Sequence, residues 1–200
     1  MMDFLIIYGI AVTWFVVILA MEWRKLRKKA YQDFTTGLFN RYALQQYKKN
    51  MKNGITRGLI YIDLDNFKGI NDSYGHHIGD MILQEVGNRL KELTNEQHYF
   101  FRVGGDEFLL LTEGCSAATV RDLAKQVVEL LNEPIVTEEK NVIVSGSVGI
   151  SFTDINSAQR FEGIIEQAEQ AMYQAKGNGK NQFDFLAEQF VTRDHGEDNR

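Results

Sequence analysis

From Phe4 to Met21 the chain runs eighteen residues without a charge, FLIIYGIAVTWFVVILAM, between Asp3 and Glu22. As a helix this run is about 27 Å long, close to the thickness of a hydrocarbon core. A core helix of a water-exposed domain carries a polar edge, and here only Tyr8 and Thr13 interrupt the apolar surface, so the segment reads as a membrane span. A cleaved leader opens on positive charge and closes on small residues. Met1-Met2-Asp3 has no positive charge and Glu22-Trp23-Arg24 follows the run, which makes residues 1–23 an uncleaved transmembrane anchor. Arg24, Lys25, Arg27, Lys28 and Lys29 then form a basic juxtamembrane segment over 24–30, with Trp23 at the interface. The positive-inside rule puts that side in the cytoplasm. The expected location is the inner (cytoplasmic) membrane, crossed once, with the larger C-terminal part inside the cell.

That larger part is long enough for one domain with a sizeable core, expected over 31–187 and followed by a polar tail over 188–200. Lys plus Arg number 22 against 27 Asp plus Glu, a net charge of −5, which argues against a nucleic-acid partner because polyanion binding needs clustered cations. The single cysteine, Cys115, excludes an internal disulfide and a cysteine zinc site. Asn40 reads as the N-cap of a helix through RYALQQYKKNM. GLIYIDLD over 58–65 reads as a buried strand ending in carboxylates, and Met81 to Leu93 as a helix. HYFFRV and EFLLLT flank Gly104-Gly105 as a hairpin, for which a two-residue glycine turn would use positive φ. A helix over Ser116–Asn132, one long strand over 141–153, a helix over Ser157–Lys176 and a short strand QFDFL complete the order. A central hairpin among alternating helices and strands gives the class α+β, a ferredoxin-like sandwich with a central antiparallel hairpin, preceded by the transmembrane helix.

Asp63 and Asp65 close one strand while Asp106 and Glu107 follow the hairpin turn, so four carboxylates are expected to converge. Carboxylates that close repel unless a cation neutralises them, and oxygen ligands without His or Cys select Mg²⁺ or Mn²⁺. Lys68, Lys176 and Lys180 are candidate triphosphate contacts, although Lys176 also suits a helix C-terminus. An amide with a carboxylate can read the Watson–Crick edge of guanine, which singles out Asn71 and Asp80; a turn and a helix N-cap are the plain alternatives. His76 and His77 are expected to be structural hydrogen-bonding residues, since no third ligand has suitable spacing.

DFTTGLFNR at 33–41, DLDNFKGINDSYGHHIGD at 63–80, RVGGDEF at 102–108, SVGIS at 147–151 and AMYQAKGNGKN at 171–181 resemble, in that order, the motifs of the GGDEF-domain diguanylate cyclases. The palm-type cyclase fold is what this resemblance implies. So is the activity: condensation of two GTP to cyclic di-GMP and two pyrophosphates, each GTP held by one protomer of an antiparallel homodimer that catalysis requires. By motif position it implies metal ligands at Asp63, the Leu64 carbonyl, Asp106 and Glu107, with two Mg²⁺ or Mn²⁺ per half-site. Asp106 or Glu107 would accept the 3′-hydroxyl proton. Asn71 and Asp80 match the guanine-reading pair, Phe67 and Leu83 the pocket walls, and Lys68, Lys176 and Lys180 the phosphate contacts.

Four departures qualify the match. Lys180 stands where arginine is common, so a point charge replaces a bidentate fork. Phe34 and Thr35 replace the usual Pro and Leu, and Glu169 a usual Asp. The Arg-x-x-Asp product-inhibition motif reads Asn95-Glu96-Gln97-His98, so little feedback through that site is expected. With no room for a sensor between the span and the domain, a signal would enter through helix association or an unidentified sensory or effector protein. The alternative reading is a catalytically inactive, membrane-tethered GTP-binding or docking module.

Overall fold

A computed structural model describes residues 2–52, 54–137, 141–153 and 161–186. The uncharged run and the basic segment form one continuous helix, α1 (Met2–Tyr31), the one helix among the described residues long and apolar enough to cross a membrane. From Ile6 to Ala30 its side chains are exposed, as expected of a segment whose apolar surface meets nothing in the domain.

The domain follows as β1 (Phe39–Asn40), α2 (Arg41–Lys49), β2 (Arg57–Leu64), α3 (Phe67–Glu92), β3 (His98–Arg102), β4 (Glu107–Glu113), α4 (Ala117–Leu131), β5 (Ile135–Val136), β6 (Asn141–Val142), β7 (Gly146–Thr153), α5 (Phe161–Gly177) and β8 (Phe183–Phe185). Six strands form one sheet in the order β1-β3-β4-β2-β7-β8. The four central strands are antiparallel, and the two short edge strands pair in parallel. Side chains alternate across a strand, and β2 uses both faces. Ile60, Ile62 and Leu64 pack with Ile82, Val86 and Leu90 of α3 and Val120, Val127 and Leu131 of α4. Leu59 and Tyr61 pack on the other side with Ala43 of α2 and Ile164, Ala168 and Met172 of α5. This is the expected α+β palm-type sheet, with helices on both faces.

The expected cap forms, Asn40 Oδ1 accepting from Ala43 N at 2.9 Å, and Ser116, read as the start of a helix, is its N-cap, with Oγ accepting from Thr119 N at 3.1 Å. Four local readings need correction. The segment 141–153 is two strands, because β6 leaves the main sheet to pair with β5 as a separate ribbon. The hairpin loop spans Val103 to Asp106, and neither Gly104 nor Gly105 has positive φ. The helix read from Met81 begins at Phe67 and bends at Gly75, whose φ of 81° is left-handed. β1 and β5 are short strands that two-residue periodicity could not reveal. The expected start of the last helix at Ser157, and the polar tail over 188–200, lie outside the described residues.

Candidate active site

β2 and β4 are paired so that Asp63 faces Glu107 across the sheet. Leu64, the buried last residue of β2, donates its N–H to Asp106 O at 3.1 Å, which fixes the strand end against the hairpin loop. The loop itself closes on Glu107 O, which accepts from Val103 N at 3.0 Å and Gly104 N at 3.3 Å. Glycine at 104 leaves the Glu107 carboxylate its place, since a Cβ would sit 2.1 Å from Glu107 Oε2 and displace it. The Arg102 guanidinium ties the loop down from the other side, donating to Gly105 O at 2.6 and 3.2 Å and to Asp33 Oδ1 at 2.9 Å. Thr36 N and Oγ1 donate to the same oxygen at 2.9 and 2.8 Å. Burial alone would push the Asp33 carboxyl up, but these hydrogen bonds and the Arg102 charge hold it below the usual range.

Asp63 is shifted the other way. Burial is the main cause, and the negative charges of Asp106 and Glu107 add to it, while the Lys176 ammonium at 2.8 Å from Oδ2 opposes them. Beneath them the Tyr61 phenol is pushed up by burial and by Glu107. The strand end is thus a site of crowded negative charge that a cation relieves.

A cleft of about 410 Å³ opens beside this charge. It gathers Phe67, Lys68, Asn71, Asp80, Leu83 and Asp106 from the sequence-predicted set. The Gly75 bend makes this possible by folding the two segments of α3, one bearing Asn71 and the other Asp80, onto one opening. Gly79 seats the amide: a Cβ there would lie 1.9 Å from Asn71 Oδ1 and 3.4 Å from Phe67 Cζ. Asp72, His76, Arg102 and Gly105 also line the cleft and were assigned no site role from sequence. All four stand inside quoted motifs, Asp72 and His76 in DLDNFKGINDSYGHHIGD and Arg102 and Gly105 in RVGGDEF, and that is the available signal. His76 and His77 are exposed rather than built into the packed structure, and His76 faces the cleft.

Asp63, Leu64, Glu107, Lys176 and Lys180 stand outside the cleft lining. Lys176 reaches the strand end through Asp63, whereas the exposed Lys180 lies in the turn after α5. Asp65 corrects the expectation of four converging carboxylates. It is buried and accepts from Ser145 Oγ, Ser147 Oγ and Asn181 N, away from the other three. Among the described residues no three of His, Cys, Asp and Glu form a ready-made cation cage. The donor chemistry nevertheless fits a hard divalent ion, since Mg²⁺ is commonly held by one or two carboxylates together with substrate phosphates, and Asp63 and Glu107 face one another with Asp106 adjacent.

A family model described as "Diguanylate cyclase, GGDEF domain" matches residues 30–182. The bifunctional diguanylate cyclase/cyclic di-GMP phosphodiesterase MucR of Pseudomonas aeruginosa is 36% identical over 173 residues, covering 84% of this chain and 25% of MucR. The diguanylate cyclase DgcS of Shewanella oneidensis is 33% identical over 170 residues, covering 81% of this chain and 55% of DgcS. The chain therefore spans from a quarter to about half the length of these relatives. The crystal structure of the coiled coil and GGDEF domain of DgcB from Caulobacter crescentus, in complex with c-di-GMP, has a TM-score of 0.74 at 24% identity, covering 86% of this chain and 94% of that one.

Proposed function

The chain belongs to the GGDEF-domain family of diguanylate cyclases, and from that premise we propose that it condenses two GTP into cyclic di-GMP and two pyrophosphates. The observation that carries the reading is one cleft in which Asn71 and Asp80 face the same opening as Asp106, beside the Asp63–Glu107 pair. Guanine docks between Phe67 and Leu83, with Asp80 accepting from its N1–H and N2–H and Asn71 completing the edge. Lys68, Lys176 and Lys180 meet the triphosphate. Asp63, the Leu64 carbonyl, Asp106 and Glu107 hold Mg²⁺ or Mn²⁺, two ions per half-site. Such ions supply charge neutralisation of the triphosphate and acidify the attacking hydroxyl.

One protomer brings its GTP 3′-hydroxyl to the α-phosphorus of the partner's GTP. The new O–P bond forms as the bond to pyrophosphate breaks, and the proton passes to Asp106 or Glu107. The reciprocal step closes the ring, which is why a homodimer is required. The α1 span over 1–23 and the basic segment over 24–30 anchor the catalytic domain, residues 31–187, to the cytoplasmic face of the inner membrane, where confinement raises the effective concentration for pairing. A sensory or effector protein acting through α1 is the natural source of control.

The test is to incubate the detergent-solubilised full chain with GTP and Mg²⁺ beside Asp106→Asn and identify products by mass. Cyclic di-GMP from the wild type alone is the expected result. GTP binding by a folded dimer that yields no product would instead favour a membrane-tethered docking module.

A further inference from the structure

The carboxylate left out of the charged cluster has its own task. Asp65, which follows β2, is 8% exposed, and its carboxylate partners come from the entry into β7 and from the turn after α5. Its Oδ1 accepts from Ser147 Oγ at 2.7 Å, and its Oδ2 from Ser145 Oγ at 2.7 Å and Asn181 N at 3.0 Å. The last of these crosses to the turn after α5. There Lys180 and Asn181 both hold positive φ, 64° and 48°, a conformation asparagine visits more readily than other L residues and that is uncommon for lysine. Further bonds hold that turn: Lys180 N to Ala175 O at 3.0 Å, Asn178 N to Gln174 O at 2.9 Å, Gln182 Nε2 to Ala175 O at 3.1 Å and Asn132 Nδ2 to Asn181 Oδ1 at 2.6 Å. Among these bonds, the Asp65 bond alone has a buried charged acceptor and is the strongest in kind.

The geometry points to Asp65 as a positioning residue for phosphate recognition: it pins the left-handed turn at Asn181 and so sets where the neighbouring Lys180 side chain stands. Two residues earlier on the same chain, Asp63 pairs with Lys176. The end of β2 therefore holds both lysines of the α5 terminus, Lys176 directly through Asp63 and Lys180 through the backbone that Asp65 anchors. This inference rests on the reading of Lys180 as a triphosphate contact, and it assigns Asp65 no contact with GTP or metal.

The experiment measures GTP and GMP affinity of the full chain in detergent for wild type, Asp65→Ala, Lys180→Ala and their double variant, with hydrogen exchange followed over the peptide containing Asn181. Asp65→Ala is expected to raise the GTP Kd about tenfold, as losing a charge-assisted hydrogen bond implies. GMP, which lacks the outer phosphates, should bind unchanged, and the double variant should lose little beyond Lys180→Ala. Protection should fall at Asn181 and persist across β2. Asp65→Asn, which keeps an oxygen toward Asn181 N, should restore most of the affinity. Should Asp65→Ala fail to fold, Asn132→Ala removes the exposed strap on the same turn and should give the same selective pattern at about threefold. Equal loss of GTP and GMP affinity, or additive losses, would overturn the positioning role. A Lys180→Ala variant that binds GTP like wild type would overturn it together with the phosphate reading, whereas a GTP defect in Lys180→Ala without one in Asp65→Ala or Asn132→Ala would overturn the positioning role alone.

Discussion

The cleft end on α3 and the charged strand end beside it are built in opposite ways. Phe67, Asn71, Asp80 and Leu83 all belong to α3, bent once at Gly75, so the proposed base-reading side comes from one short stretch of chain, which also carries Lys68. The other end needs β2, the β3–β4 loop, β7 and the terminus of α5, joined by Asp63–Lys176 and Asp65–Asn181 contacts across more than a hundred residues of sequence. A locally built end can be altered without disturbing the fold. A pieced-together end depends on packing far from the ligand.

The strongest way to break this contrast is at Gly149 of β7, where α5 lies directly on the strand. A Cβ at this position would meet Ala168 O at 1.9 Å and Met172 N at 2.2 Å, and backbone cannot swing aside as a side chain can. Gly149→Ala is expected to cost about 3 kcal/mol of stability, seen as a lower denaturant midpoint, and to weaken GTP binding by shifting Lys176. The corresponding change at the local end is Gly79→Ala. It displaces Asn71 within α3 while adding helix propensity, so preference for guanine over adenine nucleotides should fall about tenfold with little change in melting temperature.

The same contrast explains what could be read from the chain alone. Asn71 and Asp80 are legible as an amide with a carboxylate, Phe67 and Leu83 only through the family resemblance, and the uncharged Phe4–Met21 run announces its helix by composition. The convergence of Asp63 with Asp106 and Glu107 followed from a hairpin beside a strand. Asp65 was misassigned because proximity in sequence to Asp63 does not report direction once a strand has ended. Its partners Ser145, Ser147 and Asn181 are placed by tertiary packing. The splitting of 141–153 was hidden for a similar reason: Val142 and Val144 are buried like strand residues although the backbone leaves one sheet after Val142 and joins the other only at Gly146.

Smaller effects refine the account. Asp33 links the loop before β1 to Arg102 and thereby to Gly105. Because its folded carboxyl titrates below the ordinary value, the stability it contributes is present above that ordinary value and is lost as pH falls through the lower, folded one. Asp33→Asn should therefore cost about 1–2 kcal/mol at neutral pH, with the gap from wild type closing in acid melts. Smaller still, Lys180→Arg restores a fork for phosphate and should lower the GTP Kd about threefold with no change in melting temperature.

The central claim is that Phe67, Asn71, Asp80 and Leu83 of α3 read guanine, while Lys68 and the β2–α5 end read phosphates. Its most direct test is the GTP-to-ITP affinity ratio, since inosine lacks only the exocyclic amine that Asp80 would accept from. The account predicts a preference for GTP of about tenfold in wild type, abolished in Asp80→Ala and intact in Lys180→Ala although that variant binds both nucleotides more weakly. Equal affinity of wild type for GTP and ITP, or a preference that survives in Asp80→Ala, would contradict it.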